Sequence, residues 1–99
     1  MSVSLICADR QALLIVGGEI DLHTVQTLRE GLREATTLCF QVLVDLDNVT
    51  FIGAAGLNAL VAADNRGKSA ESRLQVLTTN PFTLKMMTVT GLRHLVLSA

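Results

Sequence analysis

Residues 41–57 read Gln41-Val42-Leu43-Val44-Asp45-Leu46-Asp47-Asn48-Val49-Thr50-Phe51-Ile52-Gly53-Ala54-Ala55-Gly56-Leu57. Val42, Leu43 and Val44 are consecutive apolar residues, too continuous for a strand with one wet face and suited to a central strand covered on both sides. Asp45, Asp47 and Asn48 are turn formers, so the strand is predicted over Gln41 to Leu46 before Thr50-Phe51-Ile52 leads into a glycine-flanked turn. From Ala54 to about Lys68 the chain is alanine-rich, with Leu57, Leu60 and Val61 on one side, which predicts a helix. Strand, short turn and helix in that order form the unit of an α/β layer.

Upstream, Gln11 to Val16 is a short apolar run ended by Gly17-Gly18, as expected of a buried strand. Val3 to Cys7 is its predicted partner, and Ala8-Asp9-Arg10 between them fits a hairpin turn. After Gly18-Glu19-Ile20-Asp21 the period changes. Leu22, Val25, Leu28, Leu32 and Ala35 recur every three or four residues as one helical stripe, with Asp21 where an N-cap would stand. Arg29, Glu30, Arg33 and Glu34 take the other face as solvated mixed charge.

Downstream, Arg73 to Leu77 reads as a strand, and Asn80-Pro81 starts a helix with an N-cap and a first-position proline. That helix runs through Leu84, Met86 and Met87 to Gly91, which is placed for a left-handed C-terminal residue. Leu95-Val96-Leu97 is a candidate last strand. The expectation is one α/β domain over residues 1–99, a mixed sheet of about four to five strands packed against about three to four helices. Crossovers between parallel strands should be right-handed.

Of the 99 residues, 49% are apolar and 17% charged, enough apolar surface to offset the entropy of ordering the chain. With three Phe and no Trp or Tyr, the core must be aliphatic. Eight basic against nine acidic residues give a net charge of -1, far from the basic surface that phosphate backbones require, so nucleic acid is excluded as a partner. The longest apolar stretch, Val49 to Ala63, is shorter than the roughly 20 residues of a membrane helix, and Met1 to Ile6 has no basic residues before its apolar run. No membrane insertion and a cytoplasmic location are therefore expected. Cys7 and Cys39 lack the spacing of a metal site, so no metal and no cofactor are expected. Each is read as a small apolar residue, although a disulfide becomes possible if their Cα atoms lie within about 7 Å.

In an α/β domain, sites gather outside the carboxyl ends of strands. Glu19 with Asp21, and the turn Gly53-Ala54-Ala55-Gly56, both fall there. A helix opening on that turn presents unpaired N–H groups and the positive end of its dipole with little bulk to cover them, which suits an anion or a partner's carbonyls. Small residues also suit a turn packed tightly on a strand. The turn lacks the basic support of a phosphate-clamping RNA loop, since the nearest Lys or Arg in the sequence are Arg33 and Arg66. It also lacks the Gly-Lys-Ser/Thr of a P-loop. His23 and His94 stand far apart, no nucleophile elbow exists, and turn-making accounts for the carboxylate pairs Glu19/Asp21 and Asp45/Asp47. No catalytic set forms, and no enzyme activity is expected.

Gly18-Glu19-Ile20-Asp21 after one strand, Val44-Asp45-Leu46 in the next and Phe51-Ile52-Gly53-Ala54-Ala55-Gly56-Leu57 together resemble the STAS domain family over nearly the whole chain. The resemblance implies a bacterial anti-sigma-factor antagonist, which binds an anti-sigma factor that is also a serine kinase until a serine in the turn is phosphorylated. Gly18, Glu19, Asp21, Asp45, Val49, Phe51, Ile52, Gly56, Leu57 and Leu60 fit the family pattern. Asp47 replaces a usual serine, Gly53 replaces an aspartate, and Ala54 replaces the phosphoacceptor serine. Having no hydroxyl, Ala54 cannot carry phosphate. The resemblance thus implies a phosphorylation-blind antagonist whose partner-binding residues are Asp21, Gly53, Ala54, Ala55, Gly56, Leu57 and Asn58, with decay of the site as the alternative to constitutive binding. Two other roles fit the same family: a ligand- or nucleotide-sensing module, against which the absence of a nearby cation counts, and a cytoplasmic accessory subunit of a transporter.

Overall fold

A computed structural model describes residues 1–97, and the expected domain of residues 1–99 runs beyond them. The elements are β1 (Ser2–Ala8), β2 (Gln11–Ile20), α1 (Val25–Leu38), β3 (Gln41–Ile52), α2 (Ala54–Ser69), β4 (Arg73–Leu77) and α3 (Pro81–Val89), then a short 3-10 turn (Arg93–Leu95). The four strands form one mixed sheet in the order β1-β2-β3-β4. β1 and β2 are antiparallel, whereas β2, β3 and β4 run parallel through the crossovers α1 and α2. The α/β expectation holds.

The hairpin joining β1 to β2 closes on the pair Ala8 and Gln11, with Asp9 at φ 52 and Arg10 at φ 65. Two successive left-handed residues match the twist of the strands they join. Gly17-Gly18, read as the end of β2, instead lies within it. The strand continues to Ile20 because register shifts on either side of these glycines let it keep pairing with β3, and Gly18 takes φ 92 at the bulge.

β3 likewise outruns its expected end at Leu46 and reaches Ile52. Asp45 and Asp47, read as turn formers, bond main chain without breaking the strand. Asp45 Oδ1 accepts from the Asp47 N–H at 2.9 Å, and Asp47 Oδ1 accepts from the Thr79 N–H at 2.6 Å and the Thr79 hydroxyl at 3.1 Å. The second set ties the β4–α3 loop to the sheet.

Alternate residues of the strands face the helices: Leu14, Val16 and Ile20 from β2, Val44, Leu46, Val49 and Ile52 from β3, and Leu74 and Val76 from β4. Val25, Leu28, Leu32 and Ala35 of α1 and Leu57, Leu60 and Ala63 of α2 complete this aliphatic core. Two expected stripe positions differ. Leu22 precedes α1 and is 82% exposed, and Val61 lies outward on α2 while Ala59 and Ala63 take the inner positions. Asn80 caps α3 through the N–H groups of Phe82 and Thr83, and Gly91 follows the helix at φ 77, both as expected. Where a last strand was expected at Leu95-Val96-Leu97, the chain makes the 3-10 turn and then a single parallel bridge from Val96 to Val76.

Candidate partner-binding site

Parallel pairing puts the carboxyl ends of β2 and β3 side by side, Ile20 against Ile52. The Gly53 N–H donates to the Ile20 carbonyl at 2.9 Å, which locks the start of α2 to the end of β2. Gly56 explains why the turn is built of small residues. A Cβ there would lie 2.6 Å from Ile20 Cγ2 and 2.8 Å from Ile52 Cγ1, so only glycine lets the helix sit this close to both strands. Tight packing therefore accounts for Gly56, and Leu57 beside it is also buried.

The rest of the turn is open. Gly53 is the N-cap of α2 and supplies no side-chain bond, while Ala54 is exposed and Ala55 half-buried. The N–H groups of Ala54 and Ala55 have no protein partner among the described residues. They stand at the start of a 16-residue helix, where the backbone dipole is positive.

Facing them is the segment between β2 and α1. Asp21 does not cap α1, whose N-cap is Thr24; it caps the turn just before the helix. Its Oδ1 accepts from the His23 N–H at 2.8 Å and the Thr24 N–H at 3.1 Å. The Thr24 hydroxyl donates to the Glu19 carbonyl at 2.8 Å, closing the segment onto β2. The His23 N–H bond in particular holds the Asp21 carboxyl below the ordinary aspartate range. This turn pushes Leu22 out into solvent.

Between the two segments lies an open notch of about 610 Å³ lined by Asp21, Leu22, His23, Arg29, Gly53, Ala54, Ala55 and Asn58. Five of the seven sequence-derived residues, Asp21, Gly53, Ala54, Ala55 and Asn58, thus share one surface, and Gly56 and Leu57 face the core beneath it. Arg29, read as solvated surface, is the cation that sequence distance had hidden, because crossover α1 carries it over the carboxyl end of the sheet. Leu22 was hidden by its fit to the helical stripe. Phe51, 44% exposed, adds apolar surface with its ring 3.3 Å from where a Gly53 Cβ would stand. No group of three or more His, Cys, Asp or Glu able to hold a metal exists among the described residues.

A family model described as the Mlab STAS domain matches residues 6–97. The chain belongs to the STAS domain family. Several solved STAS folds superpose on it. The anti-sigma factor antagonist SpoIIAA in its unphosphorylated form gives a TM-score of 0.86 at 18% identity, covering 99% of this chain and 88% of that one. An anti-sigma factor antagonist from Mycobacterium paratuberculosis gives 0.84 at 24% identity over 94% and 80% of the two chains. The Bacillus cell fate determinant SpoIIAA in its phosphorylated form gives 0.79 at 18%, covering 99% and 91%. At these identities the likeness is one of fold. No curated protein sequence matches this STAS chain, and no helix among its described residues is long and apolar enough to cross a membrane.

Proposed function

We propose that this STAS protein is a non-enzymatic cytoplasmic regulator of the anti-sigma-factor-antagonist kind. It binds an anti-sigma factor with serine kinase activity by protein contact at the notch, without cofactor or nucleic acid, and is blind to phosphorylation at position 54. The observation that carries this reading is the open start of α2, where two unpartnered N–H groups lie beside the protruding Leu22. A partner's carbonyl or carboxylate accepts from those N–H groups with Arg29 nearby, while apolar side chains cover Leu22 and Phe51. A phosphoserine at such a helix start would add about two negative charges to the contact surface. Ala54 offers a methyl group instead, so the surface keeps one chemical state.

The test is to incubate the protein with candidate anti-sigma kinases with and without ATP. The expected result is ATP-independent binding, no phosphate on the natural protein, and phosphate on an Ala54→Ser variant. Leu22→Asp should weaken binding at least about tenfold, since it places a charge at an apolar contact. Phosphate transfer to the natural chain, or no binding to any such kinase, would count against the proposal.

A second reading keeps the notch and changes the partner to a larger assembly such as a transporter, with this chain as its cytoplasmic accessory subunit. The missing hydroxyl, which removes the phosphate switch that an antagonist circuit uses, favours it. Affinity capture from a detergent extract separates the two: transporter subunits in the eluate support this reading, and an anti-sigma kinase supports the first. Arg29 also removes the objection that a ligand-sensing role lacked a cation. A thermal-shift screen with nucleotides tests that role, because a ligand at 100 times its Kd adds about 2.7 kcal/mol.

A further inference from the structure

The sulfurs of Cys7 and Cys39 lie 2.9 Å apart, both as free thiols. They are 32 positions apart in sequence and come from different elements, Cys7 from the end of β1 and Cys39 from the C-cap of α1. The backbone around them is clamped. The Cys39 N–H donates to the Ala35 carbonyl at 3.0 Å and the Cys39 carbonyl accepts from the buried Ser72 hydroxyl at 2.8 Å. The Phe40 N–H donates to the Arg10 carbonyl at 3.1 Å, fastening the β1–β2 hairpin turn to the end of α1. Apolar packing explains Cys39, which is buried, but not Cys7, which is exposed. Two thiols without further ligands also make no zinc site.

We propose that Cys7 and Cys39 form an intramolecular redox pair that a small hydroperoxide converts to a disulfide. The exposed Cys7 thiolate attacks the hydroperoxide, breaking its O–O bond, becoming a sulfenic acid and releasing an alcohol, or water from hydrogen peroxide. The Cys39 sulfur then displaces water from that sulfenic acid. Its thiol proton leaves with the hydroxyl, two thiols lose two electrons in all, and the peroxide is reduced by two. Contact with Cys7 and then burial push the Cys39 thiol up to about 11; Cys7 is exposed and Cys39 buried, so Cys7 meets the oxidant first. A reduced cytosolic default does not oppose this, since a switch needs the reduced pair as its resting state.

The pair stands at the amino ends of β2 and β3, beside Gln11 and Gln41, and the notch stands at their carboxyl ends. The bond therefore constrains the hairpin and α1 without touching the notch, and its readout is stability. Closing a loop of this length should raise the Tm by about 15–20 °C.

The test is to oxidise the full chain at low concentration with hydrogen peroxide and follow alkylatable thiols, intact mass, tryptic peptides and Tm. The expected result is joint loss of both thiols in a monomer, linkage of peptides 1–10 and 34–66, a higher Tm, and reversal by a dithiol. Cys7→Ser should abolish linkage and shift together; the peptide map of the natural protein decides the matter if that variant does not fold. Covalent dimers as the sole oxidised product, or over-oxidation of Cys7 while Cys39 remains alkylatable, would overturn the proposal.

Discussion

Gly56→Ala is expected to destabilise the protein, although alanine is the better helix former. The added methyl would sit 2.6 Å from Ile20 Cγ2 and 2.8 Å from Ile52 Cγ1, whereas carbons pack at about 3.5–4.0 Å. Roughly 1 Å of movement is thus demanded from two fully buried, β-branched side chains with little χ1 freedom. Overpacking of this kind costs about 1–3 kcal/mol. Two buried side chains must both move, so the upper part of that range applies; replacing a helical glycine recovers at most about 1 kcal/mol, leaving a net loss of about 1–2 kcal/mol. For a domain of this size that lowers the Tm by about 5–15 °C. Urea titrations followed by circular dichroism should show a lower midpoint with an unchanged slope. Ile52→Val removes the Cδ1 that would lie 3.2 Å from the new methyl, so the double variant should lose less than the sum of the singles. A Gly56→Ala protein within about 0.3 kcal/mol of the natural one, or strictly additive singles, would refute the account of the turn.

Asp47→Ala removes the acceptor of both Thr79 hydrogen bonds and should cost about 1 kcal/mol. The loss should be accompanied by faster amide hydrogen exchange at Thr79, measurable by mass spectrometry. The Asp21 carboxyl is held below its ordinary value of 3.8, so its contribution is complete above that pH and is lost as pH falls through the lower folded-state value. The urea midpoint of the natural protein should therefore drop more steeply on acidification below 3.8 than that of Asp21→Asn; parallel curves would contradict the assigned hydrogen bonds.

Much of the fold was legible because it rests on local pattern. The apolar run at Val42 to Val44 is the heart of β3, and Asn80-Pro81 begins α3 where the capping chemistry places it. Boundaries failed where a residue type had two uses. Asp45, Asp47 and Gly17-Gly18 are turn formers in isolation, yet each stays within a strand, the carboxylates bonding neighbouring main chain and the glycines absorbing a bulge. Leu22 fits the period of α1, but Asp21 and Thr24 shape a turn that starts the helix later and leaves Leu22 outside. At the site, motif order brought Asp21 and the Gly53 turn to attention. Arg29 and the Cys7–Cys39 contact depend on how α1 crosses the sheet, a property of tertiary packing that no spacing along the chain encodes.

The methyl group of Ala54 has a bearing on control. Under the proposed function, a surface whose charge at this position is fixed is not turned off by phosphate at position 54. Its occupancy then follows the concentrations of the partners, and a tenfold change in free partner moves it by the equivalent of about 1.4 kcal/mol. Under that reading, control rests with synthesis and degradation of the partners rather than with a kinase acting on this turn.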